Sequence, residues 1–190
     1  AVLMFGLGYI LQRGMINKVI SKPVLTTLTL TFGLEMILYN AMNLVFSATP
    51  RRIALDMGSL KLGELLLSVD RIASMVLALT LTGLLYLVLR TSKIGRAIVA
   101  VRMDRDAASL MGINVKEIYA ITFGIGAFMA GACGALVAVV FPISTSLTGV
   151  FLGKAFVICV IGGLGTVPGA LVGGLTLGVI ESFAGYWLGP

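Results

Sequence analysis

Residues 90–117 read RTSKIGRAIVAVRMDRDAASLMGINVKE, a charged run between two uncharged apolar ones. Residues 72–89 before it and 118–140 after it contain no charged side chain. Runs of 18 and 23 such residues are long enough, as helices, to cross a hydrocarbon core of about 30 Å. The charged stretch therefore stands in water on one face of a membrane. It holds six basic residues (Arg90, Lys93, Arg96, Arg102, Arg105 and Lys116) against three acidic ones. Basic loops favour the cytoplasmic side, which places 90–117 there.

The local chemistry of this loop predicts order. Asp104 is suited to cap a short helix running through Asp106, Ala107, Ala108 and Leu110, and Gly112 supplies a left-handed residue to end it. Asn114 is a second cap, with Glu117 three residues on, in capping-box spacing before the next apolar run. A short helix across the membrane face makes a rigid knob, fit to receive a push from a soluble partner. A solvated loop with a capped helix accounts for the same residues equally well.

Composition sets the class. Of 190 residues, 58% are hydrophobic and 12% charged, where soluble domains are nearer half and a quarter. The expected fold is an all-α polytopic membrane protein, a bundle of transmembrane helices with one broken, Gly/Pro-interrupted segment. The net charge of +6 flanks apolar runs and forms no aromatic-interleaved patch, so it signals topology and not nucleic acid. Histidine is absent, which removes the commonest general base and metal ligand; neither enzyme activity, metal nor bound cofactor is expected. Cys133 and Cys159 lie in separate apolar runs and read as small packing residues. The chain opens AVLMFGLGYIL, already inside an apolar run and without a basic flank. It is expected to be a piece of a longer membrane protein and to carry no signal peptide.

The expected organisation is one partial transmembrane domain over 1–190, with spans at about 1–11, 24–46, 72–89, 118–140, 151–163 and 169–188 and an inner loop at 90–117. Residues 12–22 form a short basic inner loop, and Pro23 opens the second span. Glu35 sits near the middle of that span. A charge there costs about 2.5–3.5 kcal/mol on insertion scales, so it faces protein or water. It reads either as a group on a permeation path or as a bundle residue bonded to Asn40 or Asn43. Residues 47–71, with turn signals at Thr49-Pro50 and Met57-Gly58, form an ordered outer loop. The pairs Ala127/Gly131, Ala130/Gly134, Gly169/Gly173 and Gly174/Gly178 invite close helix approach. Residues 162–169, GGLGTVPG, should break the last apolar run through Gly162, Gly163, Gly165, Pro168 and Gly169. Broken backbone at membrane depth marks protein-lined cavities, so these five residues join Glu35 as candidates for the translocation path. No Walker-type Lys-Ser/Thr follows the glycines. Lys154 precedes the break, and Glu181 reads as an interfacial carboxylate. No apolar run alternates as a β-barrel strand would.

Two separated motifs carry a resemblance. The run GRAIVAVRMDRDAASLMGINVKEIYAITFGIGAFMAGACGAL and the later KAFVICVIGGLGTVPGALVGGLTLGVIES resemble permeases of branched-chain amino-acid ABC transporters. The PGA after GGLGTV, the closing GVIES and the upstream KPVLTTLTLTFGL favour the LivH type over its LivM-type companion. The resemblance implies missing first and last helices. It also makes Asp106-Ala107-Ala108-Ser109-Leu110-Met111-Gly112 similar to the E-A-A-x-x-x-G coupling loop of ABC permeases, with Asp for Glu. Asp104, Asp106, Ala107, Ala108 and Gly112 would then couple to a cytoplasmic ATPase, which binds ATP and Mg in this chain's place. A LivM-type permease and a periplasmic or extracellular substrate-binding protein would complete an importer in the cytoplasmic (inner) membrane, surrounded by lipid. No role for Glu35 follows from the resemblance. Relatives of this type also carry urea and short amides. An ATP-independent secondary transporter or channel, with Glu35 as a proton site, is the competing class.

Overall fold

The computed structural model describes residues 1–19, 24–46, 59–62, 65–142, 144, 147–163 and 165–188. Pro23, the Thr49-Pro50 and Met57-Gly58 turns, and Leu164 lie outside them. The order is α1 (Val2–Gly14), a 3-10 turn (Ile16–Lys18), α2 (Val24–Phe46), β1 (Ser59–Leu62), β2 (Leu65–Ser68), α3 (Val69–Thr91), α4 (Lys93–Met103), α5 (Arg105–Leu110), α6 (Val115–Val140), α7 (Thr148–Gly162) and α8 (Val167–Leu188). This is an all-α polytopic membrane protein. Stretches in α2, α3, α6 and α8 are long and apolar enough to span a membrane. The 23 residues of α3 reach about 35 Å at 1.5 Å per residue. The apolar runs read from the sequence lie inside helices that extend further into charged flanks, as with Asp70 and Arg90 of α3. Helix α1 likewise continues through Arg13, past the expected start of the inner loop.

The expected outer loop contains an element that the apolar runs did not signal. β1 and β2 pair antiparallel, Ser59 opposite Ser68 and Leu62 opposite Leu65, immediately before α3.

Apolar side chains mostly face outward, as they do where lipid is the solvent. Phe32 in α2, Leu84 in α3, Phe156 in α7 and Phe183 in α8 are each more than three-fifths exposed on this chain. Cys133 and Cys159 are also exposed on this chain. Hydroxyls in these helices bond their own backbone: Thr29 to the Leu25 carbonyl, Thr82 to Ala78, Thr122 to Ile118. These three donors are satisfied within their own helices, as apolar surroundings require.

Most of the buried side chains lie near the charged loop. Gln12 of α1, Ile16 of the 3-10 turn, Val101 of α4, Ala108 of α5 and Ala120 of α6 are buried there, and Ala138 is buried at the far end of α6. Helix α1 lies along α6 on glycines. A Cβ on Gly8 would fall 2.5 Å from the Ala127 methyl, Gly124 lies under the Phe5 ring, and Gly131 lies under Met4. Of the predicted close-approach pairs, Ala127/Gly131 is used by α1, while Gly134 has open space around it.

Candidate functional site

The inner loop folds as two helices. Ser92 ends α3 and caps α4, its hydroxyl accepting from the Gly95 amide at 2.9 Å. The reversal is tight enough that a Cβ on Gly95 would sit 1.9 Å from the Leu89 carbonyl oxygen, so only glycine fits. Asp104 then ends α4 and caps α5. Its carboxylate accepts from the amides of Asp106 (2.8 Å) and Ala107 (3.1 Å). Helix α5 closes in a Schellman pattern: the Gly112 amide bonds the Ser109 carbonyl and the Ile113 amide bonds Ala108, with Gly112 at φ +82°. Arg105 lies over the Tyr119 ring, 5.9 Å from its centroid, and ties α5 to α6. Asn114 caps α6 through the Glu117 amide at 3.3 Å.

Two details differ from expectation. Glu117 does not close a capping box; its carboxylate receives the Tyr9 hydroxyl and lies 3.7 Å from Arg13, so it ties α6 to α1. Ala107 and Ala108, neighbours in the motif, differ in exposure, where the resemblance gives both the same coupling role. Ala108 is buried at 4% exposure, whereas Ala107 and Asp106 are exposed. The outward surface of the knob is instead Met103, Leu110 and Met111, each more than four-fifths exposed. These are large apolar side chains on a segment whose neighbours are charged, and the alanine motif gives no hint of them.

The second candidate region is the hairpin of α7 and α8. Helix α7 ends at Gly162 and α8 begins at Val167, with Gly163 at φ +79° and Gly165 at φ +96° between them. Pro168 lies in the first turn of α8, where its missing N–H costs nothing; it starts a helix and breaks none. Below the turn the backbones touch. A Cβ on Gly169 would lie 1.8 Å from the Gly162 carbonyl oxygen, and one on Gly173 would lie 2.8 Å from that of Ile158. The turn also has a level. The Arg102 guanidinium at the end of α4 donates to the Gly165 carbonyl at 2.7 Å. The broken segment is thus joined to the charged-loop side of the bundle. This contact links the two candidate regions, and no local signal connects residues 63 positions apart.

Within the hairpin, Lys154 of α7 forms an ion pair with Glu181 of α8. The backbones meet at Ile158 and Gly173; Lys154 is one turn beyond the first and Glu181 two turns beyond the second, and the long lysine side chain spans the difference. Glu181 therefore has a partner within the helix pair. Glu35, at mid-α2, is exposed and makes no hydrogen bond or ion pair among the described residues. Asn40 is not its partner, because the Asn40 amide bonds the Met36 carbonyl. No group of three metal-ligating side chains gathers among the described residues.

A family model for the permease component of the branched-chain amino acid transport system matches residues 1–190. The high-affinity branched-chain amino acid transport system permease protein LivH of Salmonella typhimurium is 32% identical, over 95% of this chain and 61% of its own length. LivH of Escherichia coli K12 is 42% identical over 53% of this chain and 33% of its own. BraD of Pseudomonas aeruginosa is 32% identical over 93% and 60%. The chain thus spans about three-fifths of the length of such curated relatives. No solved structure matches it.

Proposed function

The chain belongs to the family of branched-chain amino acid transport permease components, multi-pass proteins of the inner membrane, and from that premise we propose that it is the LivH-type transmembrane subunit of an ABC importer. Its substrates are branched-chain amino acids. A substrate-binding protein delivers them to the outer face, and a second, LivM-type permease completes the path. Separate ATPase subunits bind ATP and Mg and supply the driving force; this chain binds no nucleotide.

The observation that carries the reading is the knob. It is capped at both ends by Asp104 and Gly112, fixed to α6 through Arg105 and Tyr119, and tipped with exposed Met103, Leu110 and Met111. An exposed apolar tip on a rigid, water-side helix suits insertion into a groove of a soluble partner. Because α5 is short and buttressed, a displacement of its tip passes to α4 and α6 instead of being absorbed by the loop. Through Arg102 it passes to the α7–α8 turn as well.

The test uses the assembled importer in vesicles. Leu110→Asp alters only the exposed tip, and Ala107→Arg alters the exposed alanine; Ala108→Arg is unsuitable because Ala108 is buried. The expected result is at least a tenfold loss of ATP-driven leucine uptake, with normal amounts of the permease in the membrane. Uptake at the wild-type rate in both variants overturns the coupling role, and uptake that ignores ATP overturns the importer reading.

A further inference from the structure

Resting on the reading that this chain carries amino acids, we infer that Lys154 and Glu181 form a binding site for the charged backbone of a free α-amino acid. The ligand carboxylate sits on the Lys154 ammonium and the ligand ammonium on the Glu181 carboxylate.

These two are the sole charged side chains of α7 and α8. They stand at the seventh of the 15 residues of α7 and the fifteenth of the 22 of α8, in an otherwise apolar helix pair, where a charge must face protein or a watery path and not lipid. Yet they are not sealed within the hairpin: their side chains are 38% and 55% exposed on this chain. Their mutual contact uses one ammonium donor and one carboxylate oxygen. The second carboxylate oxygen and the other donors make no hydrogen bond among the described residues. The open valences are of both signs and adjacent, so they match a ligand that carries both charges a few bonds apart.

The space around the pair is open. Gly178 and Gly185 lie one turn to either side of Glu181, and a Cβ on either would meet nothing within 4 Å. Phe151, whose centroid lies 5.9 Å from the Lys154 nitrogen, offers an apolar flank for a ligand side chain. The pair is not needed to hold the hairpin shut, because the backbone contacts at Gly162, Gly169 and Gly173 do that already. The site reads the amino-acid backbone and leaves the choice of side chain to other parts of the importer.

The experiment uses the complete importer in proteoliposomes with leucine-loaded binding protein. In the double variant Lys154→Met/Glu181→Leu, a merely structural ion pair is replaced by apolar residues of similar size, which is often neutral or stabilising. A ligand site is lost. The expected result is a drop of at least tenfold in leucine moved per ATP, with ATP hydrolysis within about twofold of wild type. Retention of more than half the wild-type ratio overturns the proposal. A second arm needs no variant: carbodiimide labelling of Glu181, read by peptide mass spectrometry during turnover, should be slowed by leucine. Neither 4-methylpentanoate nor 3-methylbutylamine, which each lack one charge, should slow it. Labelling that leucine leaves unchanged overturns the proposal even where the double variant fails to assemble. A wild-type complex that moves no leucine on ATP fails the broader reading instead, and the two failures are distinct.

Discussion

Two helix pairs in this chain are built from the same parts and differ in where those parts lie. Helices α1 and α6 meet on Gly8, Gly124 and Gly131; helices α7 and α8 meet on Gly162, Gly169 and Gly173. Each pair is also bridged by opposite charges, Arg13 with Glu117 and Lys154 with Glu181. The first bridge stands at the loop end, with Tyr9 and Arg13 sharing the Glu117 carboxylate. The second stands deep in apolar sequence with a single partner each. In both, small residues bring the backbones together, and the depth of the charges separates a trim from a site. At the watery end an ion pair contributes little beyond position. Within the apolar layer it is costly unless it has work to do.

The comparison breaks first at the glycines. In α7–α8 the obstacle to a side chain is backbone: a Cβ on Gly169 would lie 1.8 Å from the Gly162 carbonyl oxygen. In α1–α6 the obstacles at Gly8 stand further off, the Ala127 Cβ at 2.5 Å and the Phe123 carbonyl oxygen at 3.2 Å. Gly169→Ala should therefore reduce the folded permease recovered from membranes to below about a tenth. Gly8→Ala should lower its stability by about 1–3 kcal/mol, the range for overpacking. Equal recovery of the two variants would mean that the pairs are packed alike.

Next is the link between the two regions. Arg102→Met removes the donor to Gly165 and keeps the stem of the side chain. Loss of a charge-assisted bond costs about 1.5–3 kcal/mol, or about a tenfold shift in a conformational equilibrium for each 1.4 kcal/mol. The expected outcome is about tenfold more ATP hydrolysed per substrate moved, with the hairpin folded. Unchanged coupling would show that the hairpin takes its orders through α3 or a partner subunit. A smaller effect is expected at the end of α5. Gly112→Val forces a β-branched residue to φ +82° at about 1–2 kcal/mol, read as a lowered melting temperature of the solubilised protein.

What the sequence made legible was either long or local. Uninterrupted apolar runs announce α3 and α6 because only a helix satisfies its backbone in lipid. Asp104, Gly112 and Asn114 announce their caps because capping is decided within four residues. Helix α4 escaped notice because Ile94, Ile98 and Val101 are mixed with five basic residues between 90 and 105, so charge hid the apolar face. The β1–β2 hairpin is hidden because its strands are only four residues each and lie in a loop of mixed composition. Small residues foretold that something packs on Ala127 and Gly131, and their chemistry is the same for any helix, so α1 could not be named. Arg102 with Gly165, and Lys154 with Glu181, are pairings made by tertiary structure alone. The turn at 163–166 was legible as a break. Its place beside the charged loop depended on Arg102.

The smallest predicted effect tests the watery half of the comparison. Tyr9→Phe removes the hydroxyl that donates to Glu117 and accepts from Arg13; it keeps the ring that stacks on Phe5. One hydrogen bond of this kind is worth about 0.5–1.5 kcal/mol. Arg13 already lies 3.7 Å from the Glu117 carboxylate and can take up the freed oxygen, so the loss belongs at the lower end. Thermal unfolding of the solubilised protein should show a small decrease, with transport unaltered. Combining it with Glu117→Gln should give less than the sum of the two single effects, because both act on one carboxylate. A large loss of transport from Tyr9→Phe would move this cluster from trim to mechanism and erase the distinction between the two helix pairs.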